Sequence, residues 1–120
     1  MSKVSVFCTF TCKEGKAAEI RLLLADMVEA AVDEPGIEVL SFHEGEQNTF
    51  WFFALLTDRA AIRQHREHFT ARDFIAEFDE LVEIKPKISI TAPMAAIGLD
   101  LDLEEPADNL SKSGAEIHLT

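Results

Sequence analysis

The chain has 120 residues, a formal net charge of −11 and a pI near 4.6, with 48% hydrophobic residues, two cysteines and no tyrosine. That length buries one sizeable core but not two, and an acidic chain without clustered Lys or Arg lacks the basic footprint that nucleic acid or an anionic membrane surface requires. No apolar run approaches the roughly eighteen residues of a membrane span, and Met1-Ser2-Lys3 leads straight into strand-like sequence without a signal-peptide core, so the expected location is cytoplasmic.

From the beginning, Val4, Val6, Cys8 and Phe10 alternate with Ser5, Phe7, Thr9 and Thr11, the period of a strand. Cys8 and Cys12 share one side of it, but four residues of extended chain separate their α-carbons by roughly 13 Å, beyond disulfide reach. With no Cys-x-x-Cys spacing, they read as small buried hydrophobes without a catalytic role. A helix is expected from about Glu14, because Ile20, Leu23, Leu24, Met27, Val28 and Ala31 fall on one stripe. Glu34-Pro35-Gly36 stops it: proline disfavours helical geometry in the residue before it, and the glycine is expected to turn with positive φ. Ile37 to Phe42 and Phe50 to Leu56 are strand-like and joined by the polar Glu44-Gly45-Glu46-Gln47-Asn48, which reads as an antiparallel hairpin.

The second hairpin strand is apolar on both faces, with Phe50, Phe52, Ala54 and Leu56 on one and Trp51, Phe53 and Leu55 on the other. A sheet with one solvated face would alternate apolar and polar, so this sheet is covered on both sides. Helices cover one. The other cover is expected to be a second copy of the sheet, giving a homodimer through the sheet face, with the C-terminal tail as the alternative.

After the hairpin, Thr57 and Asp58 can cap a short helix that carries Ala61, Ile62 and His65 inward. Thr70 with Asp73 resembles a capping pair opening a third helix that buries Phe74, Ile75, Phe78, Leu81 and Val82. Pro86 to Ala92 alternates as a last strand. The order is β-α-β-β-(αα)-β, an α+β, ferredoxin-like plan, and the domain is expected over residues 1–92. Residues 93–120 form an acidic tail with a net charge of −5, either an arm that adds a short strand to a partner subunit or a largely disordered extension.

His65 is the ionisable side chain this pattern turns inward. Its ordinary pKa near neutrality suits a general base, and the alternative is a core histidine bonded to a backbone carbonyl. His65 and His68 are spaced to share a metal with His43 or Glu67, but no His-Glu-x-x-His pattern or cysteine cluster supports one, so no metal is expected and these read as solvated helix-end histidines. Neither a G-x-G-x-x-G nor a P-loop pattern occurs, so nucleotide cofactors are not indicated. Ser5, Ser41 and Ser89 lie in strands without a nucleophile elbow. Arg63, Arg66 and Glu67 read as a solvated face, with an arginine at a pocket rim able to hold a substrate carboxylate.

Taken in order, Val4-Ser5-Val6-Phe7, Lys13-Glu14-Gly15-Lys16, Glu34-Pro35-Gly36, the aromatic strand and Asp58-Arg59-Ala60-Ala61-Ile62-Arg63-Gln64-His65 resemble the antibiotic biosynthesis monooxygenase superfamily over about residues 3 to 92. The resemblance implies a dimeric α+β barrel with a pocket between sheet and helices in each subunit. It also implies a small cofactor-independent monooxygenase of quinols, anthrones or similar aromatic substrates, since many relatives are such enzymes and others degrade haem. A phenol or quinol that loses a proton becomes an electron-rich anion able to hand an electron to dioxygen, so the protein need supply only a base, orientation and a dry cavity. On that reading His65 is the catalytic base. Phe7, Phe52, Phe69, Phe74 and Phe78 are the pocket walls, suited to stacking on a flat ligand, and Arg63 and Arg66 are secondary substrate contacts. Relatives often carry a glutamate and a tryptophan near the end of the third strand, where Ala54 and Leu56 stand here. The haem-degrading relatives have an asparagine on the first strand, which Val4 to Thr11 lacks, and this ranks haem chemistry below quinol chemistry. The competing class is a non-catalytic small-molecule binding or dimerisation module on the same fold.

Overall fold

The computed structural model describes residues 3–71 and 73–101, without the side chains of residues 69–71. Its elements run β1 (Val4–Cys12), α1 (Ala17–Ala31), β2 (Ile37–Glu44), β3 (Thr49–Leu56), α2 (Ala60–Ala71), α3 (Phe74–Leu81) and β4 (Val82–Thr91). They build one four-stranded antiparallel sheet in the order β2-β3-β1-β4. β1 and β2 run parallel two positions apart, and β3 returns between them, which is the split βαβ of a ferredoxin-like α+β fold.

Register decides which side chains meet. β1 pairs with β3 as Val6↔Ala54, Cys8↔Phe52 and Phe10↔Phe50, and with β4 as Val6↔Ile90 and Cys8↔Ile88. These positions share the face the helices cover. The core there forms two clusters, one around Phe10, Ile20, Leu24, Met27, Phe50 and Leu81 and the other around Val4, Val6, Ala54, Leu56 and Ala61.

The opposite face carries Phe7, Phe53 and Trp51. Phe7 and Phe53 rings sit 5.2 Å apart, and Phe7 and Trp51 are 49% and 52% exposed. Leu55 on the same face is only 1% exposed. Near that end of the sheet Lys3 Nζ donates to the Asp100 carbonyl and pairs with Glu38 at 2.8 Å, and Leu101 is buried. The segment after β4 therefore returns to the start of β1. The part of the expected tail beyond residue 101 lies outside the described residues.

Several boundaries differ from the pattern in the sequence. α1 begins at Ala17 rather than Glu14 because Gly15 holds a left-handed φ of 78°, a geometry that breaks a helix and suits glycine. Val82 opens β4 instead of ending α3, and Ile75 is exposed. Thr70 belongs to α2, and Asp73 adopts φ 62° with no side-chain cap, so the expected capping pair is instead a left-handed break between consecutive helices, a conformation that Asp tolerates better than most residues. Pro86 falls where the β1–β4 register shifts, on an edge strand, one of the few sheet positions that tolerate a residue without an amide hydrogen.

Candidate functional site

The two core clusters leave a cavity of about 280 Å³ between sheet and helices. Its floor is Val6, Cys8 and Phe10 of β1, Phe42 of β2, and Phe52, Ala54 and Leu56 of β3. Met27 of α1, Ile62, His65 and Arg66 of α2, and Phe74, Ile75 and Phe78 of α3 roof it. Pro86, Ile88 and Ile90 of the edge strand β4 complete the wall. Ile88 lines this space yet is 63% exposed, so the cavity opens to solvent along β4. Its size is near the lower end of small-molecule sites, and its walls are the apolar and aromatic ones such sites use.

His65 reaches this wall because α2 starts where Asp58 sets it. Asp58 Oδ1 accepts from the Ala61 amide at 3.0 Å, a side-chain cap of the kind the sequence suggests, and places Ala61, Ile62 and His65 on the inward stripe. The corner after α1 then packs directly on α2. A Cβ on Gly36 would lie 2.5 Å from Ala61 Cβ. Gly36 has no left-handed φ, so this close approach, rather than the expected positive φ, is what requires glycine. The Thr57 amide donates to the Gly36 carbonyl at 3.0 Å and ties the corner to the end of β3.

That contact brings Glu34 to the histidines of α2. Glu34 Oε1 lies 3.3 Å from His65 Nδ1, and both side chains are only 14% exposed. Glu34 Oε2 lies 3.5 Å from His68 Nε2. Burial pushes the His65 pKa below its ordinary 6.5 and outweighs the opposing pull of Glu34, with His68 lowering it further. Burial thus favours the neutral imidazole, and in a neutral ring the nitrogen 3.3 Å from a carboxylate, which only accepts, is the one placed to donate. Burial also raises the Cys8 pKa, keeping that thiol protonated at the cavity floor.

Of the residues singled out in the sequence, His65, Phe52, Phe74, Phe78 and Arg66 border one cavity. Phe7 does not: it faces the opposite side of the sheet beside Phe53, because its register partner is Phe53 and not Phe52. Arg63 is exposed and outside the lining, and the Phe69 side chain lies outside the described residues. His43 pairs in register with Trp51 and bonds Ser41 at 2.9 Å, so it sits on the far face of the sheet from His65 and His68. Those two are partly buried against Glu34, not solvated. Ala54 and Leu56 line the cavity as buried apolar wall. The residues not anticipated include Glu34, Phe42, Met27, Ile88 and Ile90. The strand parities that mark Phe52 and Val6 also mark Phe42, Ile88 and Ile90, whereas no local pattern marks Glu34.

Residues 4–77 match the family model described as antibiotic biosynthesis monooxygenase. The chain belongs to the antibiotic biosynthesis monooxygenase family. No curated protein matches it in sequence. Among solved structures, it is similar to a protein of unknown function from Nitrosomonas europaea, at 24% identity over 83% of this chain and 97% of that one, with a TM-score of 0.73. It is similar to Rv0793 from Mycobacterium tuberculosis at 22% identity over 81% and 100% of the two chains, TM-score 0.72. It is also similar to SnoaB, a cofactor-independent oxygenase from Streptomyces nogalater, at 16% identity over 82% and 100%, TM-score 0.71. At these identities the likeness is one of fold. The match to the antibiotic biosynthesis monooxygenase family takes in the Glu34 corner and all of α2 and ends before β4, so the His65 side of the cavity lies inside it and the β4 wall outside. No helix of the described residues is long and apolar enough to cross a membrane.

Proposed function

We propose that the chain is a cofactor-independent monooxygenase of a quinol, anthrone or similar aromatic substrate, acting in the cavity between sheet and helices with His65 as the general base. The observation that carries this reading is a largely buried imidazole at the wall of an apolar cavity that opens along one edge. Family membership and a fold shared with a cofactor-independent oxygenase support it. Phe52, Phe74 and Phe78 present aromatic surface to a flat ligand.

The chemistry asks little else of the protein. Nε2 of His65 takes a proton from the substrate, and the anion gives one electron to dioxygen. The resulting radical and superoxide join in a carbon–oxygen bond, and the imidazolium returns its proton to the peroxide. Cleavage of the O–O bond, with loss of the remaining hydrogen from that carbon, releases water and leaves a carbonyl. One oxygen atom ends in product and one in water. An apolar cavity favours the compact anion's reaction over its hydration, and a positioned base contributes about 10²–10⁴-fold. The exposed outer face bearing Phe7 and Trp51 supports a homodimer formed sheet on sheet.

The test is oxygen uptake by wild type and His65→Ala with a panel of quinols and anthrones in metal-chelated buffer, both proteins being verified as folded. Uptake that falls about 10²-fold or more in the variant is the expected result. Wild-type uptake no faster than buffer with every substrate would leave the non-catalytic binding module, which the apolar Ala54 and Leu56 wall favours.

A further inference from the structure

We infer that Glu34 is the positioning residue of His65: its carboxylate holds the imidazole in the Nδ1–H tautomer, so that Nε2 is the basic nitrogen presented for proton abstraction. The inference rests on the reading of His65 as base. In free imidazole side chains the Nε2–H form predominates, which would put the lone pair on Nδ1, against the Glu34 corner. Glu34 reverses that preference because Oε1 at 3.3 Å can only accept.

The carboxylate is held for this task from both sides. Along the chain, the Glu34 amide donates to the Ala31 carbonyl at 3.0 Å and the Glu34 carbonyl accepts from the Ile37 amide at 3.2 Å, while Pro35 restricts Glu34's own backbone. Across space, Gly36 against Ala61 sets the distance between the corner and α2. The second oxygen faces His68, one turn along the same helix, at 3.5 Å. Among the described residues, the charged and titratable groups around His65 include Glu34 from the corner and His68 and Arg66 from α2. Glu34 is the one that raises the proton affinity of His65, against burial and His68. Without it the imidazole is both a weaker base and turned to the other tautomer.

Histidine-labelled protein gives the decisive readout, since nitrogen-15 shifts distinguish a protonated from a bare ring nitrogen and His65→Asn assigns the signal. Wild type is expected to show a protonated Nδ1 and a bare Nε2 at neutral pH. Glu34→Gln retains that tautomer through its amide oxygen but titrates at lower pH than wild type, whereas Glu34→Ala shifts to the Nε2–H form. In oxygen uptake Glu34→Ala loses about 10²-fold, the scale of a misoriented reacting group, and Glu34→Gln stays within about tenfold of wild type, on the scale of a base weakened but still positioned. A wild-type tautomer in Glu34→Ala, or equal losses in the two variants, would overturn the assignment. If Glu34→Ala does not fold, an unchanged His65 titration in Glu34→Gln does the same. The tautomer is read without substrate, so failure of the oxygenase reading, with no uptake in wild type, is distinguishable from failure of the Glu34 assignment.

Discussion

Gly36→Ala probes the contact that sets the corner against α2 at the candidate site. The added methyl would stand 2.5 Å from Ala61 Cβ, where ordinary contact is 3.4–4 Å, so corner and helix must separate by about 1 Å. No rotamer relieves this, because both groups are methyls fixed to backbone, and Ala61 is buried and held by Asp58. Overpacking of this kind costs about 1–3 kcal/mol, offset by about 0.4–1 kcal/mol from the stiffer unfolded chain. The net expectation is a loss of about 1–2 kcal/mol, read in urea melts. The companion change Ala61→Gly removes the opposing methyl, so the double variant should recover more than the two single costs predict, with a coupling of about 1 kcal/mol. Strict additivity, or a Gly36→Ala protein as stable as wild type, would refute the argument that close approach is why glycine stands there.

Two other outcomes follow from the same site and the sheet. The His65 pKa is lowered in the folded protein, so above its ordinary 6.5 both states are neutral, and as pH falls below that value the unfolded chain takes up the proton first. Stability should therefore drop on acidification, by at most about 1.4 kcal/mol per pH unit from this group, and level off once the folded state protonates too. Urea melts from pH 7.5 to 5 should lose that portion of the slope in His65→Gln, and an unchanged slope would contradict it. Trp51→Glu places a charge on the exposed outer face without touching the cavity. Sedimentation should show wild type as a dimer and the variant as a monomer, and a monomeric wild type would remove the sheet-on-sheet interface.

Much of the fold is legible in the residues because each element carries its own period. The stripe from Ile20 to Ala31, the Pro35-Gly36 stop and the two-faced apolar strand specify helix, corner and hairpin locally, and the three-and-four spacing from Ala61 and Ile62 turns His65 inward. What stays hidden depends on how elements meet. Phe7 looks as suitable for a wall as Phe10 until register pairs it with Phe53. Glu34 looks like any acidic corner residue, since its partner is 31 positions away and they meet through tertiary packing such as the Gly36–Ala61 approach. The join between α3 and β4 is blurred because Val82 suits the inner side of either element.

Among the described residues β4 is bonded to the sheet on one side only, through β1, and it contributes Ile88 and Ile90 to the cavity from beyond residues 4–77 that match the family model. The two requirements of the site are thereby separated in the chain. Proton affinity is set at the corner and α2, where a change disturbs closely packed backbone, while the shape of the entrance is set on a border strand whose side chains already meet water. Substitutions at Ile88 and Ile90 can therefore reshape the mouth of the cavity while the Glu34–His65 pair is left intact, so cavity shape and proton affinity are free to vary independently.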